Sequence, residues 1–223
     1  MTDKIKFVTS KFSPYGHKVE MALIEKNIPY EKQEVDLSNR PEWFGKDAPL
    51  GKVPLLYVGD KILFESTVIC EYLEEVFPAT SLHSKDFIVK ANHRAWMEFS
   101  TGILTATFGV IFAQNAQEFA AKKDELIAKI NILEKNLKSA PYFDEKNFLL
   151  IDICMATSLQ PIDFINSGYG LKIFDNSPKV AEYIKAVTTR ESLKKALPTN
   201  YPDLFKAFLT RKKSYLLEMG LGL

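Results

Sequence analysis

A serine stands at the predicted start of the first helix, directly after a short apolar strand. Ser13-Pro14 matches the N-cap and the first helical position, and Tyr15-Gly16 follows in the first turn. Because the N-terminus of a helix carries partial positive charge and unpaired N–H groups, a hydroxyl there favours a nearby anion such as a thiolate. Ser13 as a plain helix cap is the alternative interpretation.

The same turn lacks the thiols of a redox site. Cys-Pro-Tyr-Cys at a strand-to-helix turn is typical of glutaredoxin-type exchange, but Ser13 and Gly16 occupy both cysteine positions here. Since the thiolate is the nucleophile in such exchange, we expect neither dithiol nor monothiol chemistry from this turn. The cysteines of the chain, Cys70 and Cys154, lie in apolar helical patterns, which predicts buried, reduced thiols.

A second hydroxyl stands at the predicted start of a later helix, in the pair Glu65-Ser66. We expect Ser66 to be the N-cap, so that its hydroxyl and the adjacent backbone N–H groups form an anion site the size of a carboxylate. Glu65 could accept hydrogen bonds from an ammonium group. Together the two residues could hold the zwitterionic end of an amino acid, and a plain capped helix is the alternative.

Between these two turns, Lys52-Val53-Pro54 enters a predicted strand. Proline cannot donate a ladder hydrogen bond and is confined to strand starts and edges. A cis Val53–Pro54 bond would turn the Val53 N–H and C=O outward, where they could pair with an extended peptide; a trans bond would make this an ordinary strand entry. Two cations, Arg40 and Lys52, flank the same edge and could hold a second carboxylate, or they are solvated surface charges.

The elements that must position these residues alternate between strand and helix up to Pro78. The patterns predict the order β-α-β-(α)-β-β-α, with a tight antiparallel hairpin at Gly59-Asp60. The predicted strands are 5–9, 30–35, 53–58 and 61–64. Two helices are predicted to start at Ser13-Pro14 and at Glu65-Ser66, and residues 39–46 are a short helix or a loop. These elements make a small mixed sheet with helices packed on it.

After Pro78 the strand patterns end. Residues 79–86 are a predicted linker, and residues 87–223 are a predicted all-helical domain with helices at 87–119, 125–137, 150–165, 180–187 and 204–217. Pro161 is expected to kink or shorten the third of these helices. The fold class is therefore an α/β domain over residues 1–78 followed by an all-α domain.

Composition and charge argue against several classes of protein. With 29 Lys+Arg against 28 Asp+Glu, the formal charge of +1 does not fit a dedicated nucleic-acid binder. No apolar run approaches the roughly 18 residues of a membrane span, and no targeting segment is evident, so we expect a cytoplasmic protein without a membrane partner. His17, His83 and His93 lack metal-ligand spacing, and no metal site is expected.

Three motifs together resemble the cytosolic glutathione transferase family. They are Ser13-Pro-Tyr-Gly-His-Lys-Val19, Ala48-Pro-Leu-Gly-Lys-Val-Pro-Leu55, and Phe64-Glu-Ser66 followed by Glu71-Tyr72-Leu73. The resemblance covers the whole chain and is closest to the serine-using tau and zeta classes and their bacterial relatives. It implies a thioredoxin-like first domain, a helical-bundle second domain, glutathione as co-substrate without a further cofactor, and a homodimer.

The resemblance also implies roles for individual residues. Ser13 would stabilise the glutathione thiolate, and Val53, before a cis Pro54, would pair its backbone with the cysteinyl unit. Glu65 and Ser66 would hold the γ-glutamyl end.

Two further roles follow from the same resemblance. Arg40 and Lys52 match positions that bind the glycine carboxylate. The acceptor would be a hydrophobic electrophile in a pocket between the domains, and Tyr15, Trp96 and Phe99 are candidates to line it, although such aromatic residues are equally good candidates for the core.

One departure concerns the central helix of the second domain. The family commonly has Ser or Thr three residues before a structural aspartate; here Asp152 is present but Leu149 occupies the capping position. We therefore expect the usual capping box to be absent or shifted.

The predicted function is a glutathione transferase of the detoxification type, whose bound thiolate attacks an electrophile. The alternative is a non-catalytic partner of RNA polymerase, because the stringent starvation protein A family shares this fold and a similar opening segment.

Overall fold

The computed structural model describes residues 5–138, 141–144 and 146–220. The chain divides into two compact units, one formed by Met1–Ser84 with Glu191–Pro198 and the other by Lys85–Arg190 with Thr199–Leu223. The first unit has a thioredoxin-like sheet with helices packed on it, and the second is helical. The bounds 1–78, 79–86 and 87–223 stay a prediction from the sequence.

Four strands form one sheet in the order β2-β1-β3-β4. They are β1 Ile5–Thr9, β2 Tyr30–Glu34, β3 Leu55–Val58 and β4 Lys61–Phe64. β1 pairs with β2 in parallel and with β3 in the antiparallel direction, and β3 pairs with β4 as the antiparallel hairpin that the Gly59-Asp60 link predicts. The sheet is therefore mixed, as the sequence predicts.

The α-helices are, in chain order, α1 Pro14–Glu25, α2 Glu42–Asp47, α3 Ser66–Val76, α4 Phe87–Phe112, α5 Ala116–Asn136, α6 Leu150–Tyr169, α7 Pro178–Thr188, α8 Glu191–Ala196 and α9 Tyr201–Lys212. In the first unit α1 packs against α3 and α8. Apolar side chains of β1 and β3 are buried with those of α1 and α3, among them Phe7, Leu56, Leu23 and Leu73. Alternation along the strands and the helical period along α1 and α3 put these side chains on facing surfaces.

In the second unit α6 is the most buried helix, and α4 and α7 pack against it. The predicted helix 87–119 is wrong at its end: α4 stops at Phe112, and Asn115 caps α5 by accepting from the N–H of Glu118 at 2.9 Å. Pro161 does not shorten α6, which continues to Tyr169. The buried side chains of Ile165 and Tyr169 beyond the proline keep those turns packed, which outweighs one missing backbone hydrogen bond.

Two features of the helices are absent from the sequence prediction. α8 is a short helix in which the Ser192 hydroxyl donates to a Glu25 carboxylate oxygen on α1 at 2.5 Å. α4 has an 18-residue window with a mean hydropathy of 1.3, so by length and composition it could cross a membrane, contrary to the expectation from the sequence. Because 44% of that window is buried and α4 packs against α5 and α6, it also fits the core helix of a helical unit.

Candidate functional site

The start of α1 is capped by Ser13, as the sequence predicts. The Ser13 side chain is 8% exposed and its Oγ accepts from the N–H of Gly16 at 3.1 Å. Among the described residues none accepts the Ser13 hydroxyl proton. A hydroxyl can donate and accept at once. Ser13 therefore holds the cap with its lone pair and keeps its proton available for a ligand atom.

Gly16 allows the first turn of α1 to pack against the end of β1. A Cβ at this position would lie 1.9 Å from Thr9 Oγ1 and 3.1 Å from Thr9 Cβ. Any side chain at residue 16 would therefore require Thr9 to move. Residue 16, where a redox turn has its second cysteine, therefore has no thiol and no space for a cysteine side chain while Thr9 keeps its position.

His17 lies one turn into α1 and is buried. Its Nε2 donates to the backbone carbonyl of Lys11 at 3.1 Å, because a carbonyl oxygen can only accept. Burial lowers the pKa of His17 to about 4. The ring is therefore neutral near pH 7 and is held by the turn that precedes α1, which indicates a structural role.

The start of α3 differs from the sequence prediction. Ser66 is not the N-cap: it is the first helical residue and is buried, whereas Glu65 is the N-cap with φ 68° and makes no side-chain cap hydrogen bond. The first-turn N–H groups of α3 have no partner within the helix. The Ser66 hydroxyl is hydrogen-bonded to no described residue. The donors of the predicted anion site are therefore present, but the hydroxyl stands one residue further into the helix.

The peptide bond between Val53 and Pro54 is cis, as the resemblance implies. Both side chains are buried, and β3 begins at Leu55 rather than at residue 53.

Arg40 packs against Gly51, the residue that precedes Lys52 in the chain. Arg40 Nε donates to the carbonyl of Leu37 at 3.1 Å, and the guanidinium lies 5.9 Å from the ring centroid of Phe44. A Cβ on Gly51, whose φ is +60°, would lie 2.9 Å from Arg40 Nη1, so only glycine fits beneath the guanidinium without strain. Arg40 is therefore held beside the residue that precedes Lys52, and both cations are exposed.

Strand pairing brings these segments to one edge of the sheet. Val8 near the end of β1 is opposite Leu55 at the start of β3, and Leu55 is opposite Phe64 at the end of β4. Thr9 is opposite Glu34 at the end of β2. The segments that follow β1, β2 and β4 and the segment that precedes β3 therefore meet at this edge. We call the predicted glutathione residues there the sheet-edge site: Ser13, Arg40, Lys52, Val53, Glu65 and Ser66.

The Tyr15 hydroxyl feels charges on both α1 and the start of α3. Burial raises the pKa of Tyr15, the Lys18 ammonium opposes this change and the Glu65 carboxylate adds to it. The Tyr15 ring is half-buried and lies beside the sheet-edge site in the first unit.

Trp96 and Phe99 belong to an aromatic cluster of the second unit. Their ring centroids are 5.1 Å apart, Trp96 lies 5.6 Å from Phe143, and Lys129 Nζ lies 5.6 Å from the Phe99 ring. The contact with Lys129 places Phe99 beside α5, whereas Trp96 lies beside Phe143 in the segment that precedes α6. Their acceptor role, together with that of Tyr15, stays a prediction.

A more exposed aromatic surface lies elsewhere in the second unit and was missed by the sequence analysis. The rings of Phe108 and Phe112 stack at 5.5 Å with an interplanar angle of 17°, and Phe208 of α9 lies 5.9 Å from Phe112. Lys212 Nζ is 5.1 Å from the Phe112 ring and the Arg211 guanidinium is 5.6 Å from the Phe208 ring. The four-residue spacing of Phe108 and Phe112 on one helix face was the available signal. We call these three phenylalanines the aromatic surface.

Asp152 is fully buried at the start of α6 and accepts three hydrogen bonds. They come from the N–H groups of Leu149 and Phe143, each at 2.8 Å, and from the Tyr183 hydroxyl at 2.7 Å. Leucine has no side-chain oxygen, so only the Asp152 half of a capping box exists, in agreement with the expected departure. Burial raises the pKa of Asp152 to about 6 although all three donors lower it.

Within the described ranges, no group of three or more His, Cys, Asp or Glu side chains is arranged to hold a metal ion.

Comparison with known proteins finds similarity to one family. A family profile described as the glutathione S-transferase N-terminal domain matches residues 12–76, a range that contains every residue of the sheet-edge site.

Relatives are similar over most of the chain. Probable glutathione S-transferase parC of Nicotiana tabacum is 31% identical over 215 residues, 92% of this chain and 94% of that protein. Probable glutathione S-transferase DHAR1, cytosolic, of Oryza sativa subsp. japonica is 29% identical over 182 residues, 80% of this chain and 81% of that protein. A crystal structure of a glutathione S-transferase from Methylobacillus flagellatus with glutathione bound is 25% identical, with a TM-score of 0.77, and covers 88% of this chain and 100% of its own.

Proposed function

Because this chain belongs to the glutathione S-transferase family, we propose that it binds glutathione at the sheet-edge site and activates the thiol for attack on an electrophile. The observation that carries the proposal is the meeting of four chain segments at one sheet edge, each of which contributes a polar group suited to a different part of the tripeptide.

The thiol group is assigned to Ser13. The Oγ proton has no acceptor among the described residues, and the N-terminus of α1 adds partial positive charge. A free thiol with a pKa near 8.5 is only a few per cent thiolate at pH 7. A donated hydrogen bond together with the helix N-terminus could lower that pKa by about two units, about 2.7 kcal/mol, which makes most of the bound glutathione anionic.

The γ-glutamyl end is assigned to the start of α3. Its carboxylate would accept from the first-turn N–H groups and from the Ser66 hydroxyl, and its ammonium would face the exposed Glu65 carboxylate. The positive φ of Glu65 turns the backbone immediately before the helix, so these opposite charges can be bound by adjacent residues.

The rest of the tripeptide is assigned to the other two segments. The Val53 backbone would pair with the cysteinyl unit as an added strand does. Arg40 and Lys52 would bind the glycine carboxylate, and the position of the Arg40 guanidinium beside Gly51, the chain neighbour of Lys52, supports a shared anion.

The acceptor is a hydrophobic electrophile. Tyr15, Trp96 and Phe99 are the candidates from the sequence. The aromatic surface is a second candidate, because its exposed Phe112 offers an aromatic molecule apolar contact beside Phe108 and Phe208. Alanine at Phe112 should raise KM for an aromatic electrophile and leave KM for glutathione unchanged; the same pattern from Trp96→Ala would instead favour the sequence-based set.

We also propose a homodimer in the cytoplasm, with detoxification as its role. The family resemblance supports the dimer, and the rice relative is named as cytosolic. Sedimentation of the purified protein tests the first statement, and fractionation of the source cells tests the second.

The alternative is a non-catalytic partner of RNA polymerase. The relatives reported above are named as transferases, and the polar groups of the sheet-edge site are retained, which favours the enzyme. Retention on glutathione resin and a screen of electrophiles distinguish the two. Turnover of at least one electrophile supports the transferase; correctly folded protein that neither binds glutathione nor turns over any electrophile would favour the interaction protein.

A further inference from the structure

α1 buries a lysine close to the sheet-edge site. Lys18 is 2% exposed, its Nζ donates to Thr67 Oγ1 at 3.3 Å, and the Nζ lies 5.8 Å from the Tyr15 ring centroid. Thr67 is the second residue of α3, and Tyr15 is the second residue of α1. Helical side chains lean toward the N-terminus, so the Lys18 ammonium lies level with the first turn of α1 and beside the first turn of α3.

The charge of Lys18 is not balanced within the part of the chain that the structure describes. No carboxylate oxygen of a described residue lies within 4.0 Å of the Lys18 Nζ, which contacts the Thr67 hydroxyl and the Tyr15 ring. Lys26, at the other end of the same helix, is equally buried but is 2.6 Å from the Glu74 carboxylate. Burial of an ammonium without a counter-ion is unfavourable. An anion bound nearby would therefore gain more from Lys18 than from a lysine already paired.

The other ionisable groups facing α1 have hydrogen-bond or ion-pair partners of their own. They are Glu20 with Lys32 and Tyr30 of β2, Glu25 with Ser192 of α8, His17 with the Lys11 carbonyl, Cys70 of α3 near the Lys18 carbonyl, and Glu74 of α3 with Lys26. Glu65 is exposed at the start of α3, and its negative charge opposes the formation of an anion nearby. Lys18 is therefore the buried cation that remains to act on a charge at the start of α1.

We propose that Lys18 is a positioning residue for the transferase reaction, whose ammonium acts through the field at the start of α1 to lower the pKa of the bound glutathione thiol. The proposal rests on the proposed function. Lys18 does not touch the sulfur; it is fixed by Thr67 and adds a full positive charge behind the partial charge of the helix N-terminus. The Ser13 hydroxyl supplies the direct hydrogen bond, and Lys18 makes the surroundings favourable for the charge that this bond receives.

Two variants of Lys18 separate its charge from its bulk. Lys18→Met keeps the length of the side chain, so α1 and α3 stay packed, and Lys18→Arg keeps the charge. Lys61→Met is the matched control: it removes one positive charge at the start of β4, at the opposite edge of the same sheet, where Lys61 is exposed beside Asp60.

The measurements are the ultraviolet absorbance of the bound thiolate as a function of pH, the affinity for S-methyl glutathione, and kcat across the same pH range. Lys18→Met should raise the pKa of the bound thiol by about one unit and lower kcat about tenfold at a pH well below that pKa. At high pH its kcat should approach that of the wild type. Lys18→Arg should restore most of the difference, and Lys61→Met should match the wild type.

The outcomes distinguish this proposal from the proposed function. If the wild type binds S-methyl glutathione and forms the thiolate, but folded Lys18→Met has the same thiol pKa, Lys18 has no positioning role. A loss of affinity for S-methyl glutathione with an unchanged thiol pKa also overturns the proposal, because the charge would then act on a carboxylate. If Lys18→Met does not fold, an unshifted pH profile of Lys18→Gln overturns it equally. A wild type that binds no glutathione contradicts the proposed function itself.

Discussion

The ammonium of Lys26 and the carboxylate of Glu74 meet at 2.6 Å with side chains that are 1% and 5% exposed. Lys26 also donates to the carbonyl of Thr80, and the second Glu74 oxygen accepts from Ser81 Oγ and from the N–H of Leu82. The pair therefore joins the C-terminal end of α1, the last turns of α3 and the segment that follows α3. Because the Lys26 ammonium and both Glu74 oxygens have hydrogen-bond partners, the two charges stabilise each other in the interior.

Removal of one partner should be far more harmful than removal of both. Lys26→Met leaves the Glu74 carboxylate buried without its cation, and we expect a loss of about 3–5 kcal/mol in the free energy of unfolding. The double variant Lys26→Met with Glu74→Leu should recover a large part of that loss. Urea unfolding of the two single variants and the double variant measures the coupling; additive losses would contradict a direct pair.

Ser13→Ala should lower turnover by about 100-fold, because one oriented donor to the developing charge is lost. Glutathione affinity should change much less, since the start of α3 and the cations near Gly51 are proposed to hold the tripeptide. Steady-state kinetics at several pH values provides the measurement. Full activity of the variant from about pH 6 to pH 8 would mean that Ser13 only caps α1, and that other groups stabilise the thiolate.

Thiol transfer and dehydroascorbate reduction should be poor in the wild type, because neither Ser13 nor Gly16 supplies a thiolate. Ser13→Cys should gain such activity and lose conjugation. Gly16→Cys should instead lose stability, since its Cβ would meet Thr9 Oγ1 at 1.9 Å; a combined Gly16→Cys and Thr9→Gly variant is the matched relief. Strong native thiol transfer that survives alkylation of Cys70 and Cys154 would contradict this prediction.

His17 and Asp152, both buried, should make the free energy of unfolding depend on pH in opposite directions. The pKa of His17 falls from 6.5 to about 4 on folding, so its contribution is present above pH 6.5 and is lost as pH falls toward 4. The pKa of Asp152 rises from 3.8 to about 6, so its contribution is present below pH 3.8 and is lost as pH rises through 6. Between about pH 4 and pH 6 the two slopes, each about 1.4 kcal/mol per unit, cancel.

Single variants should therefore expose one slope each. Asp152→Asn should leave a free energy of unfolding that falls steadily as the pH drops from 6.5 to about 4. His17→Gln should leave a free energy of unfolding that rises as the pH drops from about 6 to 3.8. Urea unfolding at half-unit steps of pH is the measurement, and parallel profiles for the two variants would contradict the assignment.

The sequence predicts much of the fold because local patterns and tertiary packing agree in the first unit. Proline directly after Ser13 marks the start of α1, and the Gly59-Asp60 link defines the hairpin, so both are found where they are expected. At α3 the agreement fails. Glu65 adopts a positive φ that glutamate rarely takes, and the helix boundary is set by the connection from β4 rather than by the preference of serine for caps.

The burial of charged side chains near the site could not be predicted from the sequence. Lys18 and Lys26 are three or more residues from any predicted site residue on α1, and a lysine in a helix is normally on its solvated face. Only the packing of α1 against α3 shows that both are buried, and only the contacts distinguish the paired Lys26 from Lys18. The same limit applies to Phe208, whose closeness to Phe112 depends on how α9 packs on α4.

Glu65→Gln should weaken glutathione binding while the fold persists, because the exposed Glu65 side chain makes no cap hydrogen bond for α3 to lose. Its proposed partner is the ammonium of the γ-glutamyl group, and a hydrogen bond to a charged group contributes about 1.5–3 kcal/mol. The dissociation constant should therefore rise by about tenfold or more. Titration calorimetry with a non-reactive S-alkyl glutathione separates this binding from the chemistry at sulfur.

Glu75 is an exposed glutamate further along α3, so Glu75→Gln is the matched control and should bind as the wild type does. Equal affinities for all three proteins would show that Glu65 does not hold the ligand, and would move the ammonium of glutathione away from the start of α3.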